Sequence, residues 1–212
     1  VGCGETCDIK HGPKTVKPFE VAVGAILTQN TAWKNVESAL LGLARADLLS
    51  PHAIFHAPDE ILERCIKPAG YFRQKSKKLK LFSEFVLETC QGDLKKLRAV
   101  RNAREQLLAL WGIGRETADT ILLYALNKPS FVVDAYTRRL FYSLSRDQEW
   151  LRRDYDDLRA ICEAAIPKSV KRWQDAHALI VYWGQNQRNT PKNSELHKNG
   201  RPATIKSHGK FS

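Results

Sequence analysis

Residues 103–139 read AREQLLALWGIGRETADTILLYALNKPSFVVDAYTRR. An apolar segment, Leu107, Leu108, Leu110 and Trp111, runs into Gly112-Ile113-Gly114, and beyond it Ala118, Ile121, Leu122 and Ala125 recur at i, i+3, i+4 and i+7. This pattern predicts a helix, a two-glycine hairpin and a second helix. Both glycines are free to take φ > 0, and the backbone N–H groups of Gly114, Arg115 and Glu116 open the second helix without partners, so an anion is expected there. The helix is expected to stop at Lys128-Pro129. A short apolar run, Phe131-Val132-Val133, follows, and Asp134 then opens another helix that carries Arg138 and Arg139.

On both sides of this stretch the chain reads as helical. Phe19, Ala22, Val23, Ile26 and Leu27 keep helical spacing, and Asn30 or Thr31 is placed to cap a next helix with Val36, Ala39, Leu40 and Leu43 on its apolar face. Ser50-Pro51 and Pro58-Asp59-Glu60 open short helices, and Tyr71 to Cys90 forms a long one. Lys75, Lys77, Lys78 and Lys80 read as a solvated face of that helix. Asp93-Leu94 begins a further helix, and later ones run to about residue 145, across Tyr155 to Ile166 and from Val170 to Trp183. No convincing period-two segment appears, so the fold class is all-α. From Gln185 onward the periodicity is lost, and the basic tail reads as disordered.

The 212 residues, 43% hydrophobic and 27% charged, are enough for a real core. A formal charge of +11 draws polyanions. There is no apolar run long enough to span a membrane and no signal-peptide pattern, so the expected localisation is intracellular and cytoplasmic. Five cysteines form no even framework, which fits reduced thiols. Cys3, Cys7 and His11 stand at i, i+4 and i+8, one ligand short of a structural metal site, and no metal is expected. The absence of methionine, with Val1 in first place, points to a fragment or to a chain whose initiator is not shown.

The stretch Leu110-Trp111-Gly112-Ile113-Gly114-Arg115-Glu116-Thr117-Ala118 resembles the LPGVGxxTA hairpin of the helix-hairpin-helix DNA glycosylases, the endonuclease III superfamily. Val133-Asp134 through Arg139 is similar to the family's catalytic-aspartate element. Leu27-Thr28-Gln29-Asn30-Thr31 and Lys67-Pro68-Ala69-Gly70-Tyr71 with Gln74-Lys75 extend the likeness over roughly residues 19 to 184. The resemblance implies two helical lobes with a central cleft. One is a six-helix lobe of residues 32–128; the other joins the N-terminal segment, 1–31, to residues 129–184, with 185–212 as tail.

The resemblance also assigns roles. Asp134 becomes the catalytic carboxylate, with helix capping as its alternative reading. Gln29 fills the duplex where the base has left, and Trp33 stacks on the extruded base. Gly112, Ile113, Gly114, Arg115, Arg138 and Arg139 meet DNA. Eighteen positions before Asp134, where bifunctional members carry the Schiff-base lysine, this chain has Glu116. That substitution, together with Trp33, is similar to the bacterial 3-methyladenine glycosylases, although His11-Gly12-Pro13 stands where that branch has Trp-Trp-Pro. His177-Ala178-Leu179-Ile180 is present, but the cysteines that hold an iron–sulfur cluster in relatives do not follow it, so no cofactor is expected. The expected function is therefore a monomeric, monofunctional DNA glycosylase of base excision repair acting on an alkylated purine in duplex DNA. Its alternatives are a glycosylase/AP lyase for oxidised pyrimidines using another lysine, and a non-catalytic DNA-binding hairpin module.

Overall fold

Helix starts follow the prolines and short polar residues of the chain. The computed structural model describes residues 17–187, and every regular element among them is helical. Pro18 opens α1 (Pro18–Leu27). The next helix, α2 (Trp33–Arg45), begins after Ala32 without a side-chain cap, so neither Asn30 nor Thr31 has the expected role. Asn30 instead takes left-handed backbone at φ 55°, and Thr31 Oγ1 accepts from Asn35 at 3.2 Å. Ser50 does cap α3 (Pro51–His56), accepting from Ala53 N at 3.2 Å.

Next come α4 (Asp59–Ile66), a 3₁₀ turn over Lys67–Ala69 and the long α5 (Phe72–Cys90). Asp93 caps a second 3₁₀ segment, Leu94–Ala99, which leads to α6 (Ala103–Leu108). Across the hairpin, α7 (Arg115–Thr120) continues directly into a π-helical turn, Ile121–Ala125, in which Leu126 N donates to Ile121 O at 3.0 Å. The helix ends before Lys128 because Asn127 turns left-handed at φ 49°. The remaining helices are α8 (Ala135–Ser145), α9 (Glu149–Arg152), α10 (Tyr155–Ala165) and α11 (Val170–Asn186). Four residues give no readable period, which is why α9 is invisible in the sequence; α11 also runs past Trp183.

Two apolar cores define the two lobes. The larger collects buried residues from α1 through the π turn, among them Ile26, Leu27, Leu43, Leu79, Phe82, Ile121 and Leu122. The smaller contains Leu123, Phe131, Val132, Val133, Tyr155, Leu158, Cys162 and Trp173. The sequence grouped α1 with residues 129–184, but Phe19, Ala22, Val23, Ile26 and Leu27 all belong to the larger core. This helix is apolar nearly all round, and it packs against the π turn, α2 and α5.

Lys75 corrects the reading of a solvated lysine face. It is 2% exposed, and its Nζ donates to Leu27 O at 2.9 Å and Ala69 O at 2.8 Å. A charged amine thereby joins the end of α1 to the turn before α5. Burial, helped by neighbouring Lys78, lowers its pKa to about 8. Cys3, Cys7, His11 and the basic tail beyond residue 187 lie outside the described residues. No helix among the described residues is long and apolar enough to cross a membrane.

Candidate active site and nucleic-acid interface

Of the two hairpin glycines, Gly112 alone uses the left-handed region, at φ 83°. A Cβ there would stand 2.4 Å from Lys78 Cε. Gly114 has φ −89° and ψ 175°, an extended N-cap that any residue adopts, and a Cβ on it would meet nothing within 4 Å. Its lack of a side chain therefore leaves the start of α7 open to solvent. Between the two, Ile113 is buried and pins the hairpin to the larger core.

Gln29 reaches the same hairpin. Its Nε2 donates to Gly112 O at 3.0 Å and Thr117 Oγ1 at 2.9 Å, while its Oε1 accepts from Lys78 Nζ. The side chain expected to enter the duplex is thus a tie among α1, α5 and the hairpin. Entering DNA requires the release of all three bonds. Trp33 is 39% exposed; its Nε1 donates to Glu37 Oε1 at 2.8 Å and its ring lies over Gly24.

A brace connects the hairpin helices to the second lobe. Arg104 donates through Nε to Asp119 Oδ1 at 2.8 Å and through Nη2 to Asp119 Oδ2 at 3.0 Å and Asp156 Oδ1 at 2.7 Å. Asp119 is fully buried and also accepts from Ser130 Oγ. Arg115, expected to meet phosphate, donates to both oxygens of Asp154 at 3.0 and 2.8 Å and to Asp156 Oδ2 at 3.0 Å. Its charge is already matched by carboxylates at the surface.

Asp134 is the N-cap of α8 within a capping box. Its Oδ1 accepts from Thr137 N at 2.7 Å and Thr137 Oγ1 at 2.9 Å, while Thr137 Oγ1 accepts from Asp134 N at 3.4 Å. Ahead of it the extended run 131–133 finds side-chain partners in place of a strand: Phe131 N donates to Glu163 Oε1 at 2.9 Å and Val133 N to Tyr155 OH at 3.3 Å. The second carboxylate oxygen, Oδ2, lies 3.6 Å from His177 Nε2. Burial opposes charge on Asp134, but His177 and the two Thr137 donors outweigh it and hold the carboxyl below its ordinary range. Capping and a charged carboxylate coexist in one residue.

Glu116, on the first turn of α7, faces this carboxylate. The surrounding protein, and then Asp134, push its carboxyl up to about 7. Its surface remains accessible to solvent, so it stands at the edge of the site rather than in the interior. Arg138 points into the same region; burial lowers its pKa, and its Nη1 donates to Arg153 O. Arg139 is 9% exposed with its guanidinium 5.2 Å from the Tyr136 ring centroid, an inward placement that does not present it to a phosphate.

The structure therefore gathers Glu116, Asp134, Arg138, Tyr124 and His177 in one place, and Gln29, Lys78 and Gly112 on the neighbouring face of the hairpin. Tyr124, Thr137 and His177 were not singled out as site residues. Thr137 stands at N3 of the helix that Asp134 caps, the position from which a capping box closes, so its spacing was the available signal; no spacing rule links residue 177 to residue 134. Among the described residues no group of three or more His, Cys, Asp or Glu side chains is placed to hold a metal ion. Cys90 and Cys162 sit in different cores.

A two-glycine hairpin set beside a partly buried, helix-capping aspartate, in an all-helical frame of two lobes, is the arrangement expected of the helix-hairpin-helix DNA glycosylases. Comparison with known proteins agrees. A candidate DNA repair glycosylase of Methanocaldococcus jannaschii is 43% identical over 166 residues, 77% of this chain and 74% of that one. Endonuclease III of Thermotoga maritima is 27% identical over 181 residues, 84% of this chain and 79% of its own. Among solved structures, the Helicobacter pylori 3-methyladenine DNA glycosylase bound to 1,N6-ethenoadenine superposes with TM-score 0.63 at 31% identity, covering 87% of this chain and 80% of that one. A non-covalent endonuclease III–DNA complex gives TM-score 0.70 at 21% identity over 84% and 79% of the two chains, a likeness of fold. The chain belongs to the HhH-GPD superfamily of base excision DNA repair proteins, whose family model matches residues 23–168. It is a DNA glycosylase that binds DNA.

Proposed function

We propose that this chain is a monofunctional glycosylase that hydrolyses the N-glycosidic bond of an alkylated purine, such as 3-methyladenine, in duplex DNA, as a monomer and without an iron–sulfur cluster. The observation that carries the reading is the pairing of Asp134 with Glu116. Cleavage of the glycosidic bond builds positive charge on the sugar, and a fixed carboxylate near C1′ stabilises that charge and orients the attacking water. A carbon–nitrogen imine needs an amine beside the sugar, and the hairpin residue facing Asp134 is a carboxyl. The ethenoadenine held by the structurally similar Helicobacter enzyme supports a modified purine as substrate. DNA would lie across the open N-terminus of α7, with its phosphate on the hairpin N–H groups.

One observation favours the bifunctional alternative: Lys78 contacts Gly112 and Gln29, and burial lowers its pKa, as a Schiff-base amine requires. The experiment that separates the readings is base release from duplexes carrying 3-methyladenine, 1,N6-ethenoadenine or thymine glycol, with borohydride trapping in parallel. The proposal expects purine release, strands that break only after alkali, no trapped adduct, and a loss of roughly a hundredfold or more in Asp134→Asn. Preference for thymine glycol, with nicking before alkali, overturns it in favour of the lyase. Absence of release from any duplex leaves a DNA-binding module.

A further inference from the structure

Asp134 has one oxygen accounted for by Thr137 and one directed at His177. The His177 ring is 12% exposed, its Nε2 lies 3.6 Å from Asp134 Oδ2, and that nitrogen is buried with no hydrogen-bond partner. At 3.6 Å the contact is longer than a hydrogen bond. The other nitrogen, Nδ1, stands 2.7 Å from Tyr124 OH, whereas the next acceptor for that hydroxyl, Gln174 O, is 3.5 Å away. The shorter contact takes the phenolic proton, so Nδ1 accepts and the ring proton resides on Nε2, facing Asp134.

Two features of the fold hold this arrangement. The π turn swings Tyr124 toward α11, where Gln174 Nε2 anchors the turn by donating to Leu123 O at 2.9 Å. Gly184 lets α11 approach α8 closely, since a Cβ there would stand 2.1 Å from Tyr136 Cδ1. The titratable groups facing the pair are Glu116 from α7, Tyr124 from the π turn, Arg138 from α8 and Asp175 from α11.

We infer that His177 is a positioning residue: with its tautomer fixed by Tyr124, it presents Nε2–H to Asp134 Oδ2 and, with Thr137 on Oδ1, fixes the plane of the carboxylate that serves the sugar. The inference rests on the glycosidic reading of Asp134 given above. Without that N–H, burial of Asp134 is opposed by Thr137 alone, so the carboxyl takes up a proton at higher pH and loses its aim. Tyr124 stays protonated to play its part, because burial and then Asp134 and Asp175 raise its phenol above the ordinary value.

Two measurements test this. The first needs no substrate: ¹⁵N spectra of the imidazoles in the wild-type chain should show the neutral His177 ring in its Nε2–H tautomer, and Tyr124→Phe should mix the tautomers. A ring protonated on Nδ1 alone overturns the inference, whatever the enzyme acts on. The second follows base release against pH. His177→Leu should lower the rate at neutral pH about tenfold to a hundredfold and move the acid limb upward, and His177→Gln, which keeps an N–H donor, should restore most of both. Should the leucine variant fail to fold, Tyr124→Phe carries the same expectation at smaller size. An unchanged acid limb in His177→Leu, or in Tyr124→Phe where leucine does not fold, overturns the inference. Wild-type protein that releases no base sinks the glycosidic reading instead.

Discussion

Removing Arg104 should uncouple the hairpin from the second lobe. Its guanidinium is 18% exposed and meets both oxygens of Asp119, which has no solvent exposure, so Arg104→Ala strands a carboxylate in the protein interior. Taking away one partner of a buried pair typically costs about 3–5 kcal/mol, because the remaining charge loses its compensation. Ser130 Oγ still donates to Asp119, and Arg104's other partner, Asp156, is exposed enough to return to water, which favours the lower half of that range. For a folded unit of this size each kcal/mol moves the midpoint by about 2–4 °C, so a loss of about 3–4 kcal/mol should lower Tm by about 6–16 °C. Denaturant unfolding followed by circular dichroism measures the free energy directly. Adding Asp119→Asn to Arg104→Ala removes the stranded charge and should recover part of the loss. A loss under about 1 kcal/mol for Arg104→Ala, the size of an exposed ion pair, would show that the brace is surface decoration.

Glu116→Gln tests the carboxyl pair by its pH dependence. A group raised from 4.5 to about 7 on folding contributes stability that is complete below its unfolded value and lost as pH rises through 7, so the variant should gain Tm over wild type at pH 8 and not at pH 4.5. Equal differences at the two pH values would mean that neither burial nor Asp134 raises the Glu116 carboxyl. At the hairpin, Gly112→Ala should destabilise by about 1–3 kcal/mol through its positive φ and the contact with Lys78, while Gly114→Ala should be nearly neutral. Chemical denaturation of both decides the point, and equal losses would contradict the assignment of strain to Gly112.

What the sequence revealed, and what it hid, follows from the range over which each interaction acts. The hairpin was legible because two glycines interrupt a helical period within a few residues, and Asp134 was legible because capping involves only its own next turn. The different duties of Gly112 and Gly114 were not, since the side chain that crowds Gly112, Lys78, comes from α5, 34 residues away, while Gly114 meets nothing. Lys75 was misread for a related reason: its burial depends on carbonyls of Leu27 and Ala69 brought together by tertiary packing. Gln29 was singled out by its motif for a place in the duplex, and its ties to the hairpin went unread because its three hydrogen bonds span separations of 49 to 88 residues that no local rule reports. His177 stands 3.6 Å from Asp134 only through the α8–α11 packing. Arg138 and Arg139, adjacent in sequence, diverge because a helix turns about 100° per residue, which sends one toward Glu116 and the other against the Tyr136 ring.

The π turn between the lobes bears on how the molecule comes apart. Ile121, Leu122 and Ala125 are seated in the larger core, while Leu123, in the midst of the same turn, is seated in the smaller one. Melting either core therefore withdraws support from a backbone segment that the other also needs. The two lobes are therefore expected to unfold together, as one transition in which the hairpin and the aspartate are lost at once.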